Sequence, residues 1–442
     1  MKNKLDSIFY PENVALVGSM KKGKIGYEIL QNILDHNFQE RGKIYPVNPS
    51  GGEVLDLEIK ESLDEISELD LSVIASPAKY VPSLVRESAK KGAKGAVIIS
   101  SGFGEVGNTE LEEELEEVVQ ENDIRVIGPN CAGIFSTHHD LYASFELPVE
   151  KGDMAFITQS GAFGGAALGW AKERDIGLSS FVSYGNALDL NEIDFIKYFS
   201  EDENTEVIGL YLEGTKNGKN LMRVIENTDK SVIIIKSGKS SRGSEAVSSH
   251  TGSLAGSYKV YNTAFKQAGA VEVEGMEEFF DAVKADKVGI KSSSENVAVI
   301  TNSGGPGIMC TDKLESLGLN VVEISEEVKE ELRDFLPDQC SVNNPVDIIA
   351  DADYERYKKT IEMVDKDERV DSIVVICVPP VFISSTDIAD AVIDADHDKP
   401  LLTNFMSGEL VDEGIEMLKE EGIPNFSTPE RVAKAANWIS KN

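Results

Sequence analysis

One histidine lies in a segment that otherwise consists of small and polar residues. The chain has only five histidines among 442 residues, and His250 stands in the stretch S-E-A-V-S-S-H-T-G-S-L-A-G at 244–256. A neutral imidazole is a competent nucleophile near pH 7, and its phosphoramidate can pass a phosphoryl group onward. His250 is therefore a candidate phosphoryl acceptor, and its surroundings predict a loop that moves between two sites.

A carboxylate at the end of an apolar run is the second candidate. Glu213 follows V-I-G-L-Y-L at 207–212. A carboxylate in this position can accept a hydrogen bond from the second ring nitrogen of a histidine, which fixes the tautomer and favours the charged ring. Glu213 is predicted to orient His250. The alternative is an ordinary carboxylate at a strand end.

Two segments share one strand-to-helix turn. Both 158–161 and 301–304 read T-x-S-G after an apolar run. Small residues at such a turn leave the amides of a helix N-terminus free to hold an anion. The alternative is that the glycines only allow a helix to pack closely on a strand, but two copies favour phosphate. The predicted phosphate-binding residues are Ser160, Gly161, Ser303, Gly304 and Gly305.

The first apolar run ends in a glycine turn with three lysines, Lys21, Lys22 and Lys24. Its spacing differs from G-x-G-x-x-G, and the next apolar run ends Y-P-V-N-P-S, without the acid that holds a ribose in nicotinamide-binding folds. The turn favours a heavily phosphorylated nucleotide other than NAD over a solvated lysine loop. A second basic cluster, formed by Lys236, Lys239 and Arg242, could bind phosphate or anchor the segment before His250.

The charge balance of the chain is strongly acidic, with a net charge of −34. This argues against nucleic acid and anionic membranes as partners, because both bind clustered Lys and Arg. No apolar stretch reaches about 18 residues, and no leader follows Met1. The four cysteines form no C-x-x-C pair, so neither a zinc site nor a disulfide framework is indicated. We therefore expect a cytoplasmic protein with reduced cysteines. A saline cytoplasm is another possible reason for the acidic composition.

Short Val- and Ile-rich runs alternate with amphipathic stretches of helical length along the whole chain. Continuous apolar strands between helices indicate parallel sheets covered on both faces. The pattern restarts near residues 153 and 296, after polar, turn-rich segments. We predict an α/β protein of three domains, 1–145, 146–290 and 291–442.

These motifs resemble the alpha subunits of archaeal NDP-forming acyl-CoA synthetases, a family that includes ADP-forming acetyl-CoA synthetase and is related to succinyl-CoA synthetase. The resemblance covers essentially the whole chain, and S-H-T-G with an upstream Y-L-E-G at 211–214 is its most specific pair. The other matching motifs are G-S-M-K-K-G-K-I-G at 18–26, G-P-N-C-A-G at 128–133, I-T-Q-S-G-A at 157–162, G-N-A-L-D at 185–189, T-N-S-G-G-P-G at 301–307 and N-P-V-D at 344–347.

The resemblance implies a Rossmann-like CoA-binding domain, then a flavodoxin-like ligase domain with a phosphorylated histidine, then a second flavodoxin-like ligase domain. It places phosphorylated His250 between the helix N-termini after Ser160 and Ser303. A separate ATP-grasp beta subunit would hold ADP or ATP with Mg²⁺, in an alpha2beta2 heterotetramer. The expected residues of the CoA or acetyl-CoA site are Gly18, Ser19, Lys22, Lys24, Val47, Asn48, Pro49, Ser76, Pro77, Ser100 and Asn130.

The implied reaction converts acyl-CoA and phosphate to acyl phosphate and CoA, phosphorylates His250, and passes the phosphoryl group to ADP. Attack on a thioester requires stabilisation of an oxyanion near the CoA sulfur. The loop G-P-N-C-A-G is the expected place, with Asn130 as a donor. Thiol catalysis by Cys131 is disfavoured because no histidine accompanies it in the sequence.

The sequence disfavours three other functions. A dehydrogenase is disfavoured by the missing ribose acid, and a serine hydrolase by the lack of a G-x-S-x-G elbow after any strand. An acyl-CoA-sensing paralogue without ligase activity is the main alternative. The presence of both Glu213 and His250 argues against it.

Overall fold

A computed structural model describes residues 4–251, 257–288 and 295–440, with only the backbone at 248–251. The chain divides into two compact units, residues 1–276 and 277–442. Across the described ranges, no helix combines the length and the apolarity needed to cross a membrane.

The first part of unit 1 is a parallel sheet with the strand order β2-β1-β5-β6-β7. The strands are β1 (Asn13–Gly18), β2 (Lys43–Val47), β3 (Glu53–Val54), β4 (Leu57–Glu58), β5 (Leu71–Ala75), β6 (Gly95–Ile98) and β7 (Arg125–Ile127). Strands β3 and β4 form a separate hairpin. The helices are α1 (Asp6–Phe9), α2 (Ile25–Asp35), α3 (Val81–Lys90) and α4 (Thr109–Asn122). The carboxyl ends of all five paired strands lie at one edge.

The apolar runs are continuous because this sheet is buried on both faces. In β1, Val14 and Leu16 pack into one hydrophobic cluster, and Ala15 and Val17 pack into another. Successive side chains of a strand point to opposite faces, so both clusters need apolar residues. The prediction of parallel strands covered on both faces is therefore confirmed for this sheet.

The second part of unit 1 is a seven-stranded sheet with the order β14-β13-β12-β10-β11-β8-β9. Its strands are β8 (Gly133–Ser136), β9 (Leu141–Ser144), β10 (Lys151–Thr158), β11 (Leu178–Ser183), β12 (Val207–Leu212), β13 (Ser231–Lys236) and β14 (Val271–Val273). The helices are α5 (Gly161–Glu173), α6 (Glu192–Ser200), α7 (Gly218–Glu226), α8 (Ser241–Thr251) and α9 (Tyr258–Ala268). Strands β10 to β14 are parallel.

The hairpin of β8 and β9 precedes the predicted boundary at residue 145, yet it belongs to the second sheet. Strand β8 pairs antiparallel with β11, and the rings of Phe135 and Phe181 lie 5.3 Å apart. The predicted first domain, 1–145, thus contains the edge of the sheet that follows it.

The segment before His250 is helical, whereas the sequence predicted a loop. Helix α8 continues to Thr251, and at its start the amide of Gly243 donates to Oγ of Ser240. Val247 is buried and packs over Gly238. The burial of Val247 and the serine bond at the helix start both support a Ser-rich helix at this place. Residues 252–256 and the side chain of His250 lie outside the described part of the chain.

Unit 2 has a parallel sheet with the order β16-β15-β18-β19, and β17 also pairs with β15. Its strands are β15 (Asn296–Thr301), β16 (Asn320–Val321), β17 (Val346–Asp347), β18 (Ser372–Cys377) and β19 (Leu401–Phe405). The helices are α10 (Met276–Asp286), α11 (Gly304–Ser316), α12 (Glu326–Phe335), α13 (Tyr354–Asp365), α14 (Ser385–Ile393), α15 (Asp412–Glu420) and α16 (Pro429–Ile439).

Helix α10 packs within unit 2, although it precedes the predicted boundary at residue 290. The Arg431 guanidinium donates to both carboxylate oxygens of Asp281, at 2.6 and 2.7 Å. Asp281 is buried, and a bidentate arginine satisfies a buried carboxylate well. Lys434 pairs with Glu278 on the same two helices. These contacts tie α10 to α16.

Asn344 of the N-P-V-D motif is a structural residue of this sheet. Its Oδ1 accepts from the amide of Val299 at 2.9 Å, and its Nδ2 donates to the carbonyls of Val297 and Val322 at 2.8 and 2.9 Å. One side chain thereby binds three backbone groups and ties the ends of the short strands together.

Candidate active site

The carboxyl edge of the first sheet gathers most of the residues predicted for the CoA site. A Cβ on Gly18 would lie 2.6 Å from the carbonyl oxygen of Ala75, so only glycine allows β1 and β5 to end side by side. Asn48 Nδ2 donates to the Gly18 carbonyl at 2.7 Å. The turn after β1 is thereby tied to the end of β2, where other Rossmann-like folds place the ribose acid.

A chain of contacts continues this edge across the sheet. Ser76 Oγ donates to the carbonyl of Val17, and Ser100 Oγ donates to the carbonyl of Ser76. The amide of Asn130 then donates to the carbonyl of Ser100 at 2.9 Å. The predicted residues that follow β1, β5, β6 and β7 are therefore neighbours.

The remaining predicted CoA residues differ in exposure. Val47 is buried in the core, so its side chain can only support the site. Lys22 and Lys24 are exposed just before α2, where cations can meet an anionic ligand. Pro49 follows Asn48, and Pro77 follows Ser76, at the same edge of the sheet.

Asn130 is held by the loop after β11. It has a left-handed backbone (φ 58°), and its Nδ2 donates to Oδ1 of Asn186 at 3.2 Å. Asn186 Nδ2 donates to Glu105 Oε2 at 2.6 Å. The carboxylate therefore orients the Asn186 amide, and Asn186 in turn orients Asn130. Backbone amides, including that of Gly102, and the Asn186 side chain lower the pKa of Glu105 against the effect of burial.

Cys131 is poorly suited to thiol chemistry. Burial raises the pKa of its thiol to about 12, and Sγ donates to the carbonyl of Ile98 at 3.2 Å. A thiol in this environment stays protonated at neutral pH. The structure thus agrees with the prediction that Cys131 is not the nucleophile.

The two T-x-S-G turns have the same internal structure, each in its own unit. Thr158 Oγ1 donates to the carbonyl of Ser160 at 2.8 Å, and Thr301 Oγ1 donates to that of Ser303 at 2.8 Å. Helices α5 and α11 follow directly. Ser160 Oγ caps α5 through the amide of Phe163, whereas the Ser303 hydroxyl makes no cap. Gly161 and Gly304 are the first residues of these helices, a position where free amides can bind an anion.

Surroundings differ between the two turns. A Cβ built on Gly304 would lie 3.3 Å from Oδ2 of Asp347, whereas nothing lies within 4 Å of the equivalent position at Gly305. The carboxylate of Asp347 therefore approaches the N-terminus of α11 from one side. An anion at this turn would approach from the side of Gly305.

Glu213 is buried (6 % exposed) in the loop after β12. Gln159, the second residue of the first T-x-S-G turn, holds this loop. Its Oε1 accepts from the amides of Glu213 and Gly214 at 2.6 and 3.0 Å, and its Nε2 donates to the Gly214 carbonyl at 3.1 Å. The turn before α5 and the Glu213 loop are therefore one rigid group.

Lys236 also binds the Glu213 loop. Its Nζ donates to the carbonyls of Glu213 and Ser237 at 2.7 and 2.5 Å and lies 4.6 Å from the ring centroid of Tyr261. Burial lowers the pKa of Lys236 to about 8, against the attraction of Glu213. Lys236 therefore anchors the Glu213 loop, a role different from the two that the sequence left open for its cluster, which were phosphate binding and anchoring of the segment before His250. Lys239 pairs with Glu272 at 3.1 Å.

A cavity of about 420 Å³ opens beside these groups. We call it the Glu192 cavity; its lining includes Gln159, Asn186, Glu192, Gly214, Thr215 and Lys216. Gln159 joins it to the turn before α5, Gly214 to the Glu213 loop, and Asn186 to Asn130. Three segments that carry predicted site residues thus border one cavity.

Sequence reasoning singled out the motifs but missed Gln159 and Asn186 as positioning residues. One signal was available, because both T-x-S-G turns carry an amide at the second position. Asn302 is the counterpart of Gln159: its Oδ1 accepts from the amide of Val378 at 2.9 Å, and its Nδ2 donates to the Val378 carbonyl at 3.0 Å. In both repeats the amide pins the loop after the neighbouring strand.

Three family models match the chain in order. A CoA-binding domain matches residues 12–137, a succinyl-CoA ligase-like flavodoxin domain matches 151–286, and a ligase-CoA domain matches 297–437. The predicted fold class is confirmed: an α/β chain with a Rossmann-like CoA-binding domain followed by two ligase domains.

Relatives cover the whole chain. The alpha subunit of acetate–CoA ligase (ADP-forming) II of Pyrococcus furiosus is 40% identical, and the match spans 98% of this chain and 96% of the relative. Acetate–CoA ligase (ADP-forming) I of Archaeoglobus fulgidus is also 40% identical, over 99% of this chain but 63% of the relative. The solved acetyl-coenzyme A synthetase 1 of Ca. Korarchaeum cryptofilum, in complex with phosphate and ADP, superimposes with a TM-score of 0.93 at 35% identity, covering 99% of this chain and 96% of that one.

These matches cover the first sheet, both T-x-S-G turns and the segment that carries Glu213 and His250. The chain therefore belongs to the family of ADP-forming acetate–CoA ligase alpha subunits, within the succinyl-CoA synthetase superfamily.

Proposed function

We propose that this chain is the alpha subunit of an ADP-forming acyl-CoA synthetase that acts on acetate. The reversible reaction converts acyl-CoA, phosphate and ADP to acid, CoA and ATP. The observation that carries the proposal is the joint held by Gln159, which fixes the turn of Ser160 and the loop of Glu213 in one group. The family match over the whole chain supports the same reaction.

CoA binds at the carboxyl edge of the first sheet in this proposal. Lys22 and Lys24 meet its phosphates, and the backbone around Gly18 and Asn48 accepts the nucleotide. Asn130 donates to the thioester oxygen as phosphate attacks, because an oriented amide near the developing oxyanion lowers the barrier. The Glu105–Asn186 pair keeps the Asn130 amide in place before substrate binds.

His250 then takes the phosphoryl group from acyl phosphate and releases the acid. Glu213 accepts a hydrogen bond from the other ring nitrogen and favours the charged ring. The amides after Ser160 and those after Ser303–Gly305 are each suited to stabilise a phosphoryl group, because each turn opens a helix N-terminus. Lys236 and Gln159 contribute by holding the Glu213 loop.

Transfer to ADP takes place on a partner in this proposal. An ATP-grasp beta subunit holds the nucleotide with Mg²⁺, in an alpha2beta2 assembly in the cytoplasm. Two findings support a division of labour: relatives of nearly equal length are named alpha subunits, and other relatives are longer by about a third of their length.

Phosphate labelling tests the assignment of the nucleophile. Incubation of the chain with acetyl-CoA and labelled phosphate should give an acid-labile, base-stable phosphoprotein, and a His250→Asn variant should remain unlabelled. His138→Asn is the matched control, because His138 is exposed and its ring contacts the backbone carbonyl of Gly152. Equal labelling of His250→Asn and wild type would refute the phosphohistidine. No labelling of either protein would favour the acyl-CoA-sensing alternative.

A further inference from the structure

The 185–190 segment, which carries the G-N-A-L-D motif, lies along the loop of Asn130. A Cβ on Gly185 would lie 2.3 Å from the carbonyl oxygen of Asn130, so the two backbones are in direct contact. The segment is bonded to residues 126–129 through three amides, at 3.0 to 3.1 Å: Asn186 donates to Pro129, Leu188 to Gly128 and Leu190 to Val126. The register of these bonds fixes where the Asn186 side chain meets Asn130.

This segment includes a residue in a disfavoured backbone conformation. Ala187 has φ 52°, in the left-handed region that a residue with a Cβ rarely adopts. It lies between the bonded amides of Asn186 and Leu188. Such a conformation persists only where the surrounding structure holds it in place. The segment therefore needs an anchor on each side of Ala187.

An ion pair anchors the end of the segment that is remote from Asn130. Asp189 Oδ2 accepts from the amide of Val126 at 2.8 Å and from Nε of Arg125 at 2.9 Å. The Arg125 guanidinium also pairs with Asp194, at 3.6 Å. The side chains of Arg125 and Asp189 are 27% and 20% exposed, and partly buried charges are screened less by salt than exposed ones. The pair joins the amino end of β7 to the loop after β11, so it connects the two sheets of unit 1.

We propose that Asp189 and Arg125 are positioning residues for attack on the thioester. This inference rests on the proposed function, in which Asn130 donates to the thioester oxygen. The ion pair holds the 185–190 segment in register, and the segment holds Asn186 against Asn130. Neither Asp189 nor Arg125 contacts a substrate in this proposal.

Loss of the ion pair acts through the backbone of the segment. Without the charge of Asp189, the segment is free to relax at Ala187, and the Asn186 amide moves away from Asn130. A displacement of about 1 Å in a positioning group can lower a rate by about a hundredfold. Variants of either member of the pair should therefore slow the thioester step.

Transfer of the phosphoryl group to His250 should not depend on this pair. That step uses the Glu213 loop, which Gln159 and Lys236 hold. Two labelling routes separate the steps. Acetyl-CoA with labelled phosphate requires attack on the thioester, whereas acetyl phosphate labelled at phosphorus phosphorylates His250 directly and releases acetate.

Asp189→Asn is the main variant, because it removes the charge but keeps the size and an oxygen that can accept from the Val126 amide. At saturating acetyl-CoA, its initial rate of labelling should be about tenfold or more below wild type, whereas its rate from acetyl phosphate should stay within about twofold. Arg125→Met should show the same pattern, and Arg125→Lys, which keeps the charge, should show a smaller loss. The double variant Asp189→Asn/Arg125→Met should lose no more than the larger single variant, because both substitutions act through one contact.

Asp140→Asn is the control, because it removes the partner of Lys151 in a different ion pair of unit 1. Asp140 has φ 54°, which asparagine also tolerates, so this variant should be labelled at wild-type rates by both routes. Equal losses by the two routes in Asp189→Asn and Arg125→Met, or no loss from acetyl-CoA in either variant, would overturn the positioning role. Wild type labelled by one route only, or by neither, would instead refute the proposed function.

Discussion

At the scale of single residues, side-chain amides and one buried lysine hold the candidate site. Gln159 fixes Glu213, Asn186 fixes Asn130, and Asn302 makes the equivalent bridge in unit 2. An amide donates and accepts at once, so it can join two loops without adding charge. In the proposed reaction, these side chains hold the reacting groups in place.

The buried side chain of Lys236 makes the stability of the folded protein depend on pH. Its pKa in the folded state is about 8, below its ordinary value of 10.5. Between these two values the unfolded chain holds more protons, so stability rises with pH. The thermal midpoint of wild type, relative to Lys236→Met, should therefore increase from pH 7.5 to pH 9.5. The gain has an upper limit of about 3 kcal/mol.

Differential scanning fluorimetry at both pH values measures the effect. Lys239→Met is the control, because the bond of Lys239 to Glu272 raises its pKa and its titration lies above this window. A wild-type advantage over Lys236→Met that stays constant or falls between pH 7.5 and 9.5 would contradict a buried, destabilised ammonium.

At the scale of elements, a small residue lets each helix lie on the strand before it. A Cβ on Gly164 would lie 2.9 Å from Cγ2 of Thr158, and a Cβ on Gly307 would lie 2.8 Å from Cγ2 of Thr301. The same threonines shape the turns through their hydroxyls. Tight packing and a free helix N-terminus are thus consequences of one motif, so the two readings of the glycines are compatible.

Helix α5 offers a matched pair of glycines to test this. Gly164→Ala should destabilise the protein by about 1–3 kcal/mol, because the added methyl group overpacks against Thr158 and Phe181. Gly169→Ala should stabilise it by about 0.5–1 kcal/mol, because nothing lies within 4 Å and alanine favours a helix. Urea unfolding measures both. Equal effects of the two substitutions would rule out close packing as the reason for Gly164.

At the scale of the whole molecule, the acidic composition means that anionic ligands can bind only at a few local sites. Net charge is −34, yet the ligands of the proposed reaction are anions. The proposed phosphate contacts are therefore backbone amides, together with Lys22 and Lys24 at one turn. Helix N-termini bind anions without adding a cation to the chain.

Salt should stabilise this protein. Repulsion among surface carboxylates opposes the compact state, and screening reduces it. The thermal midpoint should rise by a few degrees between 20 and 500 mM KCl. Repeating the scan at pH 5 tests whether carboxylate repulsion is the cause. Partial protonation of the carboxylates at that pH should reduce the salt-dependent rise of the thermal midpoint. A midpoint that does not depend on salt would mean that the charges are already balanced by local pairs.

The proposed division of labour makes a second prediction at this scale. When the purified chain is mixed with acetyl-CoA, labelled phosphate and ADP, His250 should become phosphorylated. ATP should not accumulate, because the nucleotide site lies on the partner in this proposal. Addition of an ATP-grasp beta chain should start continuous ATP formation, followed by a coupled hexokinase assay. Continuous ATP formation by the chain alone would place the nucleotide site here and refute that division.

The sequence by itself determined the fold class, the domain order and the family. These follow from local patterns: apolar runs at strand length, repeated T-x-S-G turns, and the S-H-T-G and Y-L-E-G motifs. Such signals need only neighbouring residues, so they can be read without coordinates.

Only the tertiary structure decided how these motifs meet. The pairing of Gln159 with Glu213, of Asn130 with Asn186, and of β8 with β11 joins residues about 45 to 56 positions apart. The burial of Val247 supports the helix before His250, whose Ser-rich sequence has little helix propensity of its own. Contacts between distant segments outweigh local preference at these points, and local preference was all that the sequence offered.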